Sequence, residues 1–361
     1  MAQASPVQDA GPGWRGHSDT ETLLACVARW GVAKTLDMAE GMFAIALWDR
    51  QERCLHLARD RMGEKPLYYG WVGKGLAFAS ELDALRTLPG FDASLDRSAI
   101  GAFLKTNAVP APLSIYAGIG KLEPGNWLAI TLGDVESRQL RAAQPYWRLL
   151  DVARSGRTRP LSFESDEAAV DALHSVLSDA VRAQMLSDVP LGAFLSGGVD
   201  SSTVVALMQS HAERPVKTFS IGFREDGYDE AKHAKAVARH LRTDHTELYI
   251  DDQTARDVIP LLPGIYCEPF ADSSEIPTYL VSKLARERVK VCLSGDGGDE
   301  LFAGYRNYLL AARAWAGASA LPLRLRLMLA SALRSVAPRT WNAGFRAIGP
   351  LVPQRVRASL S

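Results

Sequence analysis

Residues 191–208 read LGAFLSGGVDSSTVVALM, and this stretch decides the fold. An apolar run, Leu191 to Leu195, ends in Ser196-Gly197-Gly198-Val199-Asp200-Ser201-Ser202 and passes into a helical run from Thr203. Strand, glycine turn, helix is an arrangement that binds phosphate. Two glycines let the backbone bend so that its N–H groups face one point, hydroxyls add donors, and the helix N-terminus contributes about half a positive charge. The loop contains neither GK[ST] nor GxGxxG, so it belongs to neither the Walker nor the dinucleotide type. A carboxylate, Asp200, within an anion cradle points to a divalent cation between it and the phosphate. On loop chemistry alone, a plain βα turn with Asp200 as a helix cap stays open.

Outward from this loop the same alternation continues. Strand candidates at 191–196, 216–223, 245–250 and 289–295 alternate with helical periods at 168–186, 202–212, 229–241 and 274–288. Such alternation predicts βαβ units and a parallel sheet covered on both faces, with ligand sites at the carboxyl ends of its strands. The fourth strand ends in a second glycine loop, Ser294-Gly295-Asp296-Gly297-Gly298-Asp299-Glu300. Bare carboxylates beside a phosphate require a cation, which predicts shared magnesium, with Ser294 and Gly295 approaching a nucleotide through small side chains and backbone. A solvated acidic turn is the alternative.

Towards the N-terminus the period changes. Leu23, Leu24, Val27 and Trp30 recur at helical spacing behind Ser18-Asp19-Thr20-Glu21, which reads as a capping box. Short apolar runs at 43–49, 54–60, 66–73, 75–80 and 126–133 then suggest antiparallel strands. A polar, Arg-rich stretch from about Gly133 to Glu167 marks the expected domain boundary. The 361 residues suffice for two domains, and 41 basic residues balance 41 acidic ones, which leaves no footprint for nucleic acid or an acidic membrane. Cys26, Cys54, Cys267 and Cys292 are scattered and suggest neither disulfides nor zinc, so a cytoplasmic location is expected. Cys26, on the apolar side of its helix, is expected to be a buried small hydrophobe. The basic stretch 324–339 reads as the solvated face of a helical region.

The string SGG-x-D-S resembles the pyrophosphatase loop of the N-type ATP pyrophosphatases, which cleave ATP between its α and β phosphates to form adenylates. SGDGGDELFAGY, residues 294–305, resembles the second signature of asparagine synthetases, and EPFADSSEIPTYLVSKLAR, residues 268–286, their substrate-side segment. SDTETLL, GMFAIALWD, LARDRMGEKPLYY and FASELDAL resemble successive segments of the amidotransferase domain of glutamine-hydrolysing asparagine synthetases, an ATP-dependent family of carbon–nitrogen ligases. The resemblance runs from about Gly16 to Tyr308. It implies a partial Ntn-hydrolase (αββα) glutamine amidotransferase domain at 16–135 after a disordered start at 1–15. A linker at 136–166 and a doubly wound, parallel-sheet, adenine nucleotide alpha hydrolase-like ATP pyrophosphatase domain at 167–361 follow.

The chemistry implied is activation of aspartate by ATP and Mg2+ to β-aspartyl-AMP, then displacement of AMP by ammonia derived from glutamine. By the same resemblance, Ser196, Gly197, Gly198, Ser201 and Ser202 bind pyrophosphate, Asp200 and Asp299 hold magnesium, and Leu195, Ile221, Ser294 and Gly295 contact the nucleotide. Asp296 matches the acidic position linked to adenylate formation, and Asp19 the residue that pairs with the amino group of glutamine. Asp272, Ser273 and Ser274, which start a helix at the strand ends, are candidate aspartate contacts. Arg59-Asp60-Arg61 and Lys65-Pro66 are expected to play a salt-bridged structural role. The partners implied are small molecules, with no nucleic acid and no membrane; a homodimer stays open.

Two departures from the family set further expectations. Its amidotransferase begins with a nucleophilic cysteine, whereas this sequence starts Met1-Ala2 and has no counterpart of the glutamine-binding arginine, so glutamine hydrolysis is expected to be absent. The sequence stops before the region where the family carries a lysine and much of its acceptor pocket. A fragment is therefore expected rather than a reduced, ammonia-fed enzyme. A ring-closing relative of the β-lactam synthetase or lasso-peptide cyclase type and a nucleotide-binding pseudoenzyme are the alternatives.

Overall fold

The computed structural model describes residues 15, 16, 18–223, 231–337 and 339–341, which fall into two packing units divided between Ser294 and Gly295. The expected disordered start at 1–15 lies almost wholly outside the described residues. The first unit opens with α1 (Asp19–Met38), broken at Gly31, whose φ of 78° leaves the helical region. The break lies one residue beyond the predicted end at Trp30, and the chain resumes as helix because Thr35 and Leu36 bury themselves beyond it. The capping box is not formed as predicted. Ser18 accepts from the Thr20 amide, while Glu21 reaches past the cap to the amides of Arg15 at 2.9 Å and Gly16 at 2.8 Å.

Next come β1 (Ala44–Asp49), β2 (Cys54–Arg59), β3 (Tyr68–Val72), β4 (Gly75–Ala79), α2 (Leu82–Arg86), α3 (Arg97–Thr106), β5 (Ile119–Lys121), β6 (Asn126–Thr131), α4 (Leu132–Ser137) and β7 (Gln144–Pro145). They form two antiparallel sheets, ordered β1-β2-β6-β7 and β4-β3-β5. Alternation along β2 and β6 sends Leu57, Leu128 and Ile130 inward, where they meet Tyr69 and Leu76 of the second sheet; the sheets therefore pack face to face. The other face of the second sheet is covered by Leu82 and Leu85 of α2 and Ala99 of α3. The Arg-rich stretch read as a boundary carries structure of its own, α4, β7 and α5 (Leu149–Thr158).

The remainder of the unit alternates as the sequence suggested, through α6 (Asp166–Gln184), β8 (Leu191–Phe194), α7 (Val199–His211), β9 (Lys217–Phe223), α8 (Ala231–Leu241), β10 (Asp244–Ile250), α9 (Asp252–Val258), α10 (Leu262–Ile265), α11 (Glu275–Arg286) and β11 (Val291–Leu293). All pairings are parallel and the strand order is β10-β9-β8-β11. One face buries Val181 of α6, Val205 and Met208 of α7 and Ala234 and Ala238 of α8. The opposite face buries Phe219 and Ile250 against Val258 of α9 and Leu280 and Ala285 of α11. The sheet is thus covered on both sides, which explains why its strands read as continuous apolar runs.

The second unit contains α12 (Gly298–Phe302), α13 (Arg306–Ser319) and α14 (Leu323–Ser335). Trp315, Leu323 and Leu327 are exposed. Among the described residues no helix is long and apolar enough to cross a membrane.

Candidate active site

From β8 the chain steps outward to β9 and β10, then returns to the far side of β8 as β11. This reversal makes the carboxyl ends of β8 and β11 the topological switch point, where open α/β sheets leave a crevice. The loop Ser196–Ser202 emerges there after β8, and Ser294 directly follows β11.

The loop's shape follows from its residues. Gly197 has φ +84°, and a Cβ on it would stand 2.5 Å from the Ala234 amide nitrogen and 2.7 Å from the His233 carbonyl carbon, so only glycine fits against the first turn of α8. Ser201, 8% exposed, shares a 2.9 Å hydroxyl contact with Ser196 and accepts from the Ser196 amide, which fixes the turn. Helix α7 begins at Val199, four residues earlier than the sequence indicated, and Gly198 at its N-cap supplies no side-chain cap. The first amides of α7 are therefore left for a ligand. Ser202 Oγ is buried without a hydrogen-bond partner among the described residues, the condition expected of a donor whose acceptor is a bound anion.

The other strand-end candidates occupy different environments. Leu195 is 1% exposed, its side chain inside the core with Val205 and Met208 and its amide bonded to Phe219 O at 2.9 Å; only its carbonyl is free to meet a ligand. Ile221 is half-buried among Ile250, Phe223 and Ile276 at the ends of β9 and β10. Asp200 is half-buried in the first turn of α7 and makes no ion pair among the described residues. Asp272 uses Oδ1 to accept the Ser274 amide at 2.7 Å, and the Ser274 side chain first and this amide second hold its carboxyl below the usual range.

The second loop, from Gly295 onward, falls in the second unit. Gly297, at φ +90°, caps α12, and the Asp299 carboxylate lies against Gly304 so tightly that a Cβ there would collide with its Oδ1. Glu300 accepts the Tyr305 hydroxyl at 2.7 Å; this hydrogen bond lowers the Glu300 carboxyl and pushes Tyr305 up to about 12. Glu300 is thus occupied by a protein donor. Asp296 is exposed and Asp299 half-buried.

In the N-terminal half, Asp19 is exposed, its carboxylate receiving the Ser18 and Thr20 hydroxyls at 3.3 and 3.4 Å. Cys26 is half-buried rather than buried, and all four cysteines are free thiols. The motif around residue 60 is structural, but not through salt bridges. Asp60, 0% exposed, accepts the amides of Phe43, Glu64 and Lys65 at 3.3, 2.9 and 2.9 Å. Arg59 donates to the carbonyls of Lys65, Leu122 and Gly63 at 2.9, 2.8 and 2.6 Å. Backbone partners saturate each charge separately, which avoids the desolvation cost of a fully buried ion pair.

Sequence reasoning missed Glu268 and Glu275. Glu268 accepts the Ile115 amide at 2.8 Å and the Tyr68 hydroxyl at 3.1 Å and pairs with Lys121, which ties the segment before α11 to the three-stranded sheet. Its acidic position beside the recognised segment was visible; its partners, far away in sequence, were not.

A parallel α/β sheet with an uncapped glycine loop at its switch point, preceded by a sandwich of antiparallel sheets, defines a two-part α/β protein with an anion-binding loop. Comparison with protein families gives the particular group. The asparagine synthase model matches residues 172–359 and the glutamine amidotransferase domain model residues 5–147, and the chain belongs to the asparagine synthase family. It is 37% identical to the putative asparagine synthetase [glutamine-hydrolyzing] 2 of Methanocaldococcus jannaschii, over 81% of this chain and 55% of that protein. It is 34% identical to asparagine synthetase [glutamine-hydrolyzing] 1 of Bacillus subtilis, over 81% of this chain and 44% of the relative. With asparagine synthetase B [glutamine-hydrolyzing] of Escherichia coli it shares 31% identity, over 80% of this chain and 47% of the relative. The chain spans about half the length of the curated relatives it matches.

Proposed function

We propose that the chain carries the adenylating half of an ATP-dependent asparagine synthesis. A β-carboxylate oxygen of aspartate attacks the α-phosphorus of ATP, the bond to the β-phosphate oxygen breaks, and pyrophosphate leaves. Ammonia, free or derived from glutamine, then attacks the acyl carbon of β-aspartyl-AMP and AMP departs. The observation that carries this reading is the uncapped Ser196–Ser202 loop at the switch point, with its buried, unpartnered Ser202 hydroxyl.

In this reading the first amides of α7 and the hydroxyls of Ser196, Ser201 and Ser202 receive the pyrophosphate, with Gly197 and Gly198 as its backbone cradle. Leu195, through its carbonyl, Ile221, Ser294 and Gly295 border the nucleotide, and Asp296 serves adenylate formation. Two carboxylates without ion-pair partners among the described residues, Asp200 and Asp299, are hard oxygen donors of the kind magnesium takes. No group of three metal-ligating side chains forms among the described residues, so phosphate oxygens and water would complete its coordination. Magnesium there would neutralise the charge that accumulates on the leaving pyrophosphate. We assign the partial amidotransferase domain, of Ntn type, to 16–135 with Asp19 as its glutamine contact, the linker to 136–166 and the pyrophosphatase domain to 167–361.

The test is pyrophosphate release from magnesium-ATP by the purified chain, with a panel of amino acids and with ammonium or glutamine as nitrogen donor. Release that depends on aspartate is the expected result. A folded chain that neither binds magnesium-ATP nor releases pyrophosphate with any amino acid overturns the reading.

A further inference from the structure

Independently of the adenylating reading, we propose that a groove along α5 receives helix α6 of a second copy of this chain, so that two copies exchange α5–α6 contacts across a two-fold axis. Helix α5 buries none of its ten residues, although a helix this short is marginal in water without a packing partner. Arg148, Asp151, Val152, Ser155, Gly156 and Arg159 recur at three- and four-residue spacing and line one side of a groove of about 810 Å³. Its other wall contains Pro145, Tyr146 and Trp147. That wall is fixed by the Tyr146 and Trp147 amides, which donate to Gly125 O at 2.9 and 3.1 Å, and by the Tyr146 hydroxyl, which donates to Arg59 O at 2.7 Å. A Cβ on Gly156 would meet nothing within 4 Å, so the middle of the groove is open to another element. Half-buried aromatic residues facing an unpacked helix make a shape that takes an amphipathic helix.

Charge and pattern select the occupant. Arg148 and Arg159 stand at the two ends of α5, about 16 Å apart along the helix, and neither pairs with a carboxylate among the described residues. Arg159 donates to the Ser155 hydroxyl at 2.9 Å, and Asp151 in the lining is offset by Arg154 at 3.4 Å. The matching element lies in the same chain. Helix α6 turns Leu177 and Val181 inward but leaves Val170, Leu173 and Val176 at 63%, 42% and 67% exposed, at the spacing of one helical face. Asp166 and Asp179, both exposed, bracket this stripe about 20 Å apart. An apolar stripe between two acids thus matches an apolar groove between two arginines of comparable span. A two-fold axis that sets α5 of one copy against α6 of the other repeats the contact in reverse, which closes the assembly at two copies.

The experiment is sedimentation equilibrium of the full chain at low and high salt, with reciprocal charge reversals. The wild type should be a dimer that weakens as salt screens the facing charges. Arg148→Glu/Arg159→Glu and Asp166→Arg/Asp179→Arg, all at exposed positions, should each raise the dimer dissociation constant about tenfold or more. Mixed together, the two variants should form a dimer of wild-type affinity, because each offers the charges that the other needs at both contacts. Val170→Ser/Val176→Ser, which removes only exposed apolar groups, should weaken association too and serves if a charge reversal does not fold. A monomeric wild type, whatever else covers the groove, overturns the inference. So does a dimer indifferent to both reversals, a pair of reversed variants that fail to associate with each other, or an assembly that grows beyond two copies.

Discussion

The Tyr68 hydroxyl donates to Glu268 Oε2 at 3.1 Å, and this contact joins residues 200 positions apart. Around it, Lys121 pairs with the same carboxylate, the Ile115 amide donates to its other oxygen at 2.8 Å, and the Ala271 amide donates to Asn107 O at 2.8 Å. The segment leading into α11 is therefore anchored on the three-stranded sheet rather than on the parallel sheet that α11 covers. Any reaction that uses Asp272 to Glu275 inherits its geometry from the N-terminal half of the chain.

Removal of Glu268 should be far more damaging than removal of the Tyr68 hydroxyl. Glu268→Ala leaves the buried Lys121 ammonium without its partner, a loss of about 3–5 kcal/mol. Tyr68→Phe deletes one neutral donor, a loss of about 1 kcal/mol. Urea unfolding of both variants and the double variant measures this, and the double variant should cost less than the sum because the two share one network. Equal costs for the two single variants would show that Glu268 does not hold the ion pair described.

Gly197 and Gly198, adjacent in the phosphate loop, should respond differently to alanine. At Gly197 the φ of +84° strains any side chain, and the new Cβ would collide with the backbone of α8. Gly197→Ala should abolish binding of a magnesium-ATP analogue and lower stability by about 2 kcal/mol or more. At Gly198 the nearest atom to an added Cβ is the Ser196 hydroxyl at 3.3 Å, a side chain able to turn aside. Gly198→Ala should weaken nucleotide binding and leave thermal stability nearly unchanged. Calorimetry of both variants decides; indistinguishable melting temperatures would contradict the packing of the loop on α8.

The parallel sheet was legible because burial on both faces makes each strand a continuous apolar run, and because the glycine loop marks where β8 stops. The antiparallel half was legible only where alternation is long enough to count. Strands β5 and β7, of three and two residues, carry no periodicity and exist because β3 and β6 offer them edges. The partners of Arg59 and Asp60 were illegible for another reason. Adjacent opposite charges suggest an ion pair, but the turn from Asp60 to Lys65 aims two amides, Glu64 and Lys65, at one carboxylate, Phe43 adds a third from 17 residues away, and no local pattern encodes that convergence. In the candidate site the loop was visible as a motif, while the buried charge of Glu275 depends on what packs over α11.

Asp60 supplies a third test. Asp60→Asn keeps the shape but places an amide donor among three backbone donors, so at least one buried N–H loses its acceptor. The expected loss is about 2–4 kcal/mol, read from urea or thermal unfolding. Arg59→Lys should also destabilise, since one ammonium cannot reach three carbonyls set out for a planar fork. If Asp60→Asn were as stable as the wild type, the carboxylate would not be holding these amides as described.

The chain should lose stability on mild acidification, and His245 is the principal reason. Its ring lies between β9 and β10, with Thr218 on Nδ1 at 2.9 Å and Ser220 on Nε2 at 3.2 Å. Burial lowers it below its ordinary 6.5; Glu247, whose carboxylate is 3.8 Å away, opposes the shift and Lys235 of α8 adds to it. The unfolded chain therefore takes up a proton near 6.5 that the folded chain resists. Over that window the unfolded state binds more protons, so stability falls as the pH drops below about 6.5 and levels off once the folded ring is protonated. His56, stacked on Trp127 and also lowered by burial, acts in the same direction. Asp37, Asp92 and Asp134 are held below their ordinary 3.8 and lose their contribution only at more acid pH, so the two effects separate on the pH axis. The melting temperature should decline between about pH 7.5 and 5.5 in the wild type and less steeply in His245→Gln, with His56→Gln removing a further part of the slope. A wild-type melting temperature that is flat across this range would mean that His245 titrates in the folded chain as it does in water.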